Sequence, residues 1–401
     1  MKLLYVCTDF PYPPRHGGMV DMWNRIQTLH QLGITVDVLA TVAKEPSFQD
    51  REVVACLVRN LMFCRRESGR KGLLSLRPGH VAIRSNLRNV QLPDSYDAAL
   101  LQTEFTSDIL RNPTLKAGFT IIRVDNDEFA FHLHTAKAEK SIPLKAYLLF
   151  EAFKVKLHTS RTLPRVDKLW FVSHRELEKY EQARSENRGH SIDFLPAGID
   201  ISLLDQPSLN GSQVLFVGNL WAQLNREALE WYLTEIHPRL AVVEGYRFTI
   251  AGSSRGKKCD WLEELASRHS NVTISYDPDD LTPYYRSSAV FVSPMRKGTG
   301  VKLKTVEAVL RGMPVVTTSV GAEGSGLQDH THCLFAENAS DFSVAVQFLL
   351  QDKSAACDLA RRAQAFIIEH YDQGKALRRL LIPVLEQAGY APVPQGPGET
   401  L

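Results

Sequence analysis

Short apolar runs alternate with segments whose apolar residues recur every three to four positions, and the alternation persists along nearly the whole chain. Runs at 2–7, 35–41, 97–101, 120–124 and 168–173 have the continuous apolar character of strands buried on both faces of a parallel sheet. Between them, 20–32 has helical spacing closed by Gly33, and a long basic helix is predicted over 129–159. After residue 200 the composition shifts to Asp, Gln, Pro, Ser, Asn and Gly over 202–212, which suits a linker. A second alternation follows, with strands at 213–217, 247–251, 272–276, 289–293 and 314–319. Its helices fall at 225–233, 260–269, 281–287, 353–370 and 374–387. The pattern predicts an α/β protein of two Rossmann-like, doubly wound domains, 1–200 and 201–388, and a Pro/Gly-rich disordered tail over 389–401. Sheets of this kind bind ligands beyond the carboxyl ends of their strands, so an interdomain cleft is the expected site.

The chain has 401 residues, 44% hydrophobic and 23% charged, with a net charge of +2. Those proportions suit a soluble globular protein of two domains. Six cysteines are scattered without a C-x-x-C pair, which argues against a zinc site or a disulfide framework and fits a reducing compartment. The apolar runs all fall short of the ~18 residues a membrane span needs. The opening segment runs too soon into Thr8, Asp9 and prolines for a signal peptide. A cytoplasmic setting is expected. One local imbalance stands out: 59–88 carries eight Arg and Lys against the single acid Glu67, interspersed with Leu and Phe. It suits an anionic partner, such as a lipid diphosphate, an acidic polysaccharide or a peripheral membrane surface, and equally a solvated basic loop. Nucleic acid is a poorer expectation, since no recognition motif accompanies the charge.

The most informative stretch follows the apolar run 289–292. Gly298-Thr299-Gly300-Val301-Lys302 leads into a helical pattern with Leu303, Val306 and Leu310 on one face. Free N–H groups at a helix start, glycines in the turn before it, and Lys302 in its first turn together suit an anion. Glu307 lies roughly 7–8 Å further along the axis, at about 1.5 Å per residue. That is near the spacing between a diphosphate and the ribose of one nucleotide, so the stretch reads as a nucleoside-diphosphate cradle. The alternative is an ordinary glycine turn with solvated lysines and a Glu307–Arg311 pair at i,i+4.

Residues 299–308, followed by Arg311-Gly312-Met313-Pro314-Val315-Val316, resemble the donor-binding segment of family 4-like, retaining glycosyltransferases with the GT-B fold. Further matches are spread over the chain. Gly17-Gly18 is similar to the family's glycine loop after the first strand. Leu195-Pro196-Ala197-Gly198-Ile199-Asp200 resembles the close of its N-terminal domain. Phe216-Val217-Gly218-Asn219-Leu220 is similar to the turn opening its donor domain, and Val320-Gly321-Ala322-Glu323-Gly324 to a later loop. The resemblance implies transfer of a sugar from a nucleotide-sugar donor to a glycan or lipid-linked acceptor, with retention and with neither cofactor nor metal. Glu307 would hold the ribose, and Lys302 with the backbone of Gly300 and Val301 the diphosphate. Gly218, Asn219, Gly17 and Gly18 would line the donor site, with the 1–200 domain taking the acceptor.

This chain departs from the pattern at two positions. Thr299 stands where many members carry a glutamate that touches the donor sugar, and Asp125 stands where a histidine near the reacting sugar is usual. Asp125 is a catalytic candidate beside Lys302, or a helix cap. The two D-x-D matches, at 125–127 and 277–279, are short; the second suits a turn, with Asp279 or Asp280 capping the next helix. Two other classes remain open, a nucleotide-sugar epimerase and a non-catalytic nucleotide-sugar binder. A dinucleotide dehydrogenase is disfavoured, because no full G-x-G-x-x-G follows the first strand.

Overall fold

The structure is a computed structural model. It describes every residue except His16, Arg70, Lys71, Leu73, Leu74, 184–190, 207–212, Lys257 and 388–401. Most of the expected linker, and the tail expected to be disordered, lie outside the described residues. The chain divides into two compact units, Met1–Gly198 with Asp372–Leu401, and Ile199–Tyr371.

The first unit is built on a seven-stranded parallel sheet. Its strands are β1 (Lys2–Cys7), β2 (Thr35–Val42), β3 (Asn60–Arg65), β4 (Tyr96–Gln102), β5 (Ala117–Val124), β6 (Lys168–Phe171) and β7 (Ser191–Phe194), in the order β3-β2-β1-β4-β5-β6-β7. The second unit has six parallel strands: β8 (Gln213–Val217), β9 (Arg247–Gly252), β10 (Val272–Tyr276), β11 (Val290–Ser293), β12 (Val315–Thr317) and β13 (Leu334–Phe335), ordered β10-β9-β8-β11-β12-β13. Central strands such as β1 and β8 are apolar on both faces because helices cover both sides. In each sheet the order reverses once, beside β1 and β4 in the first and beside β8 and β11 in the second. These are the topological switch points at which open α/β sheets bind ligands.

The structure differs from the sequence expectation in three ways. The helix expected over 129–159 is two helices, Glu128–Ala138 and Ile142–Thr162. Pro143 has no N–H to continue the first and sits in the opening turn of the second. The helix Gln373–Gln387, assigned by sequence to the second domain, packs on the first unit: Leu377, Leu380 and Leu381 join the core formed by Leu3, Tyr5, Ile26 and Leu29. Finally, the basic stretch 59–88 contains β3, and most of its described arginines have partners. Arg59 meets Asp37 and Asp94 (2.6 and 2.8 Å), Arg66 meets Asp9 (2.7 Å), and Arg77 and Arg88 converge on Asp108. Arg84 is buried and donates to the Thr8 and His80 carbonyls. Acids distant in sequence thus offset much of the excess that suggested an anionic partner there. Among the described residues, no helix is long and apolar enough to cross a membrane.

Candidate functional site

At the switch point of the second unit, the β11 loop and the β8 turn meet. Gly298 and Gly300 both have positive φ, +116° and +76°. Side chains other than hydrogen rarely tolerate those angles, so the two glycines set the path of the loop. Lys302 sits at the N-cap of the helix Leu303–Leu310, and its Nζ donates to the carbonyls of Thr299 (3.1 Å) and Gly300 (2.7 Å). Its charge is therefore held over the loop rather than extended into water. Thr299 Oγ1 is shielded from solvent without a hydrogen-bond partner.

Across from this loop, Gly218 and Asn219 form the turn after β8. Gly218 N donates to Ala251 O (3.1 Å), and a Cβ at Gly252 would lie 1.8 Å from Gly218 O, so the β8 and β9 ends touch backbone to backbone. Asn225 Nδ2 donates to Asn219 O (3.0 Å), and Asn225 Oδ1 accepts from Lys304 Nζ (2.7 Å). Lys304, expected to be solvated if the stretch were an ordinary turn, lies over the Phe216 ring at 4.3 Å. Burial, helped by the neighbouring charge of Lys302, lowers its pKa to about 7. Lys304 and Asn225 are the residues that sequence reasoning passed over here. The available signal was the spacing of Lys304, two residues after Lys302 in the same first turn.

Glu307 is half-buried and pairs with Arg311 at 3.0 Å, so the expected i,i+4 pair does form. Burial raises its carboxyl above the ordinary range against the pull of Arg311. Arg311 also bonds Thr282 and stacks on Tyr285, which fixes where the pair sits. Gly321, in the loop after β12, could not carry a side chain: a Cβ would meet Thr317 Oγ1 at 2.2 Å. Its carbonyl accepts from Thr305 Oγ1 (3.1 Å), tying that loop to the same helix. The structure thus brings Gly218, Asn219, Thr299, Gly300, Val301 and Lys302 to one end of one sheet, with Glu307 further along the helix. Asp277, of the second D-x-D, binds Ser254 N and Gly256 N at 2.9 Å each, and Asp280 accepts from Thr282 N (2.8 Å) at the helix start. That pair of acids serves turns, as expected.

The first unit carries a buried charge network at its own switch point. Asp21 Oδ1 accepts from Arg25 (2.9 Å), Arg123 (3.0 Å) and Gly198 N (2.6 Å). Gln102 accepts from Tyr5 and Arg25 and donates to Asp125 Oδ2 at 2.7 Å, while Arg123 pairs with Asp125 Oδ1. Asp125 is not the helix cap; Asp127 is, accepting from Ala130 N at 2.9 Å. Gly17 and Gly18 open the helix that bears Asp21 and Arg25 and are exposed there. Gly198 is confined by packing: a Cβ would sit 2.9 Å from Asn24 Cβ.

Two acids beside Asp125 were not anticipated. Burial pushes Glu104 up to about 7, and burial together with the charge of Glu104 pushes Glu128 to about 8. Thr103, between Gln102 and Glu104, has φ +64°, a strained conformation for a β-branched residue that costs about 1–3 kcal/mol. Such strain gathers at functional sites, and polar residues directly after an apolar strand were the signal in the sequence.

Comparison with known proteins agrees with this geometry. Residues 211–352 match the family described as Glycosyl transferases group 1. A Klebsiella pneumoniae protein, "Uncharacterized 44.6 kDa protein in cps region", is 31% identical over 387 residues, covering 93% of this chain and 97% of its own length. Sucrose-phosphate synthase from Thermosynechococcus elongatus superposes with a TM-score of 0.69 at 16% identity, covering 96% of this chain and 100% of its own. A mutant of TarM from S. aureus, solved in complex with Fondaparinux, alpha-GlcNAc-glycerol and UDP, gives 0.65 at 10% identity over 95% and 99% of the two chains. The pneumococcal O-GlcNAc transferase GtfA, in complex with UDP and GlcNAc, gives 0.62 at 11% identity over 96% and 99%. The fold is that of the GT-B glycosyltransferases. The chain belongs to the family of the Klebsiella cps-region protein, and its second unit carries the group 1 glycosyl transferase domain.

Proposed function

We propose that this protein moves a sugar from a nucleoside-diphosphate sugar to a glycan or lipid-linked acceptor, with retention of anomeric configuration and without a bound metal, on the cytoplasmic side. The observation that carries the reading is the 298–302 loop. Two glycines at positive φ, an orphaned threonine hydroxyl and two lysines converge on one helix start. In this reading Lys302, Lys304 and the N–H groups of Gly300 and Val301 hold the diphosphate. They stabilise the charge that develops as it leaves, the work a divalent ion does elsewhere. Glu307 accepts from the ribose hydroxyls, and Thr299 meets the donor sugar. Asp125, oriented by Arg123 and Gln102, serves the acceptor side, with Gly17 and Gly18 nearby on the first helix. The UDP complexes of TarM and GtfA, and the cps-region setting of the Klebsiella relative, support the donor and glycan assignments.

A thermal-shift panel of UDP-, GDP-, ADP- and dTDP-sugars tests the donor, since a ligand of the folded state raises the midpoint by mass action. One nucleotide should stand out. Lys302→Ala and Glu307→Ala should each lower transfer by roughly 10–100-fold, the loss of one charge-assisted hydrogen bond. Near-normal transfer in both variants would remove the assignment. Turnover should persist in EDTA, and incubation with donor alone should give no sugar isomer, which separates a transferase from an epimerase.

A further inference from the structure

The helix Ile142–Thr162 is turned the wrong way round for a soluble protein. Its inward face carries Glu151 and Lys154, an ion pair with both side chains buried, beside Ala152 and Val155. Its outward face carries Ile142 (81% exposed), Leu149, Phe150 (47%), Phe153 (60%) and Leu157. The outward positions follow helical spacing, so they form one stripe along an element about 30 Å long. The orientation is pinned from within. Lys154 Nζ donates to Ser75 O (3.0 Å), and Glu151 Oε2 accepts from Gly79 N (3.2 Å). Rolling the phenylalanines inward would break both bonds and strip the Ser75 carbonyl and the Gly79 N–H of these charged partners. A stripe this long with two exposed phenylalanines calls for a partner.

Charge narrows the choice. Lys137, Lys140, Lys145, Lys156 and Arg161 are exposed along this helix and the end of the preceding one, against Glu139 alone. A second copy docked on the same face would set cations against cations, because a two-fold interface is self-complementary. An anionic bilayer satisfies both features: the aromatic and aliphatic groups enter the boundary between headgroups and acyl chains, and the lysines meet lipid phosphates. We propose that Ile142–Thr162 lies on the surface of an anionic membrane and seats the protein there. The inference is independent of the donor reading, and it moves the expected membrane contact from 59–88 to this helix.

Sedimentation of the full chain with vesicles tests it. Phosphatidylcholine vesicles containing about 30 mol% phosphatidylglycerol should carry the protein down at low salt, and pure phosphatidylcholine much less. The double variant Phe150→Ser/Phe153→Ser should weaken partition at least about tenfold while circular dichroism stays unchanged, because both positions are exposed. Lys145→Glu/Lys156→Glu should erase the preference for the anionic lipid. Wild-type protein remaining in the supernatant with anionic vesicles would overturn the proposal, as would equal binding by the serine variant. A dimer in light scattering that the serine variant dissolves, without vesicle binding, would assign the face to a second copy instead.

Discussion

Lys304 concentrates the chemistry of the candidate donor site in one proton. Near pH 7 it is divided between ammonium and amine, because burial disfavours the charge. A diphosphate beside it would restore the ammonium, so binding would take up a proton. Donor affinity should therefore fall as pH rises above 7, by up to roughly tenfold per pH unit. Titrations at several pH values check this, and Lys304→Met should bind weakly with a flat profile. Glu104 gives a stability prediction of definite sign. Its folded pKa of about 7 lies above the ordinary carboxylate value, so between those two pH values the native state holds a proton that the unfolded state has lost. Stability falls as pH rises through that window, and above it the cost is complete, on the order of 3 kcal/mol. Glu104→Gln should raise the melting temperature by several degrees at pH 8 and leave it near wild type at pH 4.5.

Glycines and strand ends decide how the site is assembled. Gly298 at φ +116° holds the loop where a Cβ would also press on Leu224 Cδ1 at 3.2 Å. Gly298→Ala should weaken donor binding by roughly tenfold or more while shifting the melting temperature little, since about 1–2 kcal/mol of strain falls on a surface loop. Calorimetric titration beside a thermal melt separates the two effects. Strands β1 and β8 and the helix Lys353–His370 were legible in the sequence to the residue, because their apolar runs are bounded by turn-forming residues. β3 was hidden by the arginines at its ends: as an edge strand it buries little, and its charges spoke louder than its apolar pattern. β13, with two residues, is too short for any period. In the candidate donor segment Gly300, Lys302 and Glu307 could be placed from motif spacing. Asn225 and Glu104 could not, since they owe their surroundings to strands brought together by the fold.

At the scale of the whole molecule, the second unit is an insertion between the main body of the first and its closing helix. Leu377, Leu380 and Leu381 are buried in the first unit's core, so a protein ending at Tyr371 should leave Ile26 and Leu29 uncovered. Removing three buried leucines should cost more than about 5 kcal/mol, enough to unfold that unit while Ile199–Tyr371 keeps its sheet. Circular dichroism melts of the shortened protein should show the second transition alone.

That final helix also governs the order of events during synthesis. The nascent chain begins with the first unit but completes it last, because residues 373–387 leave the ribosome only after the entire inserted body has emerged. Ile199–Tyr371 is contiguous and can mature first, while the earlier-made sheet waits with a bare apolar flank open to chaperones and to aggregation. Nonsense or frameshift lesions within the codons for 373–387 should consequently be as damaging as lesions in the 298–302 loop, although they lie far from it in sequence.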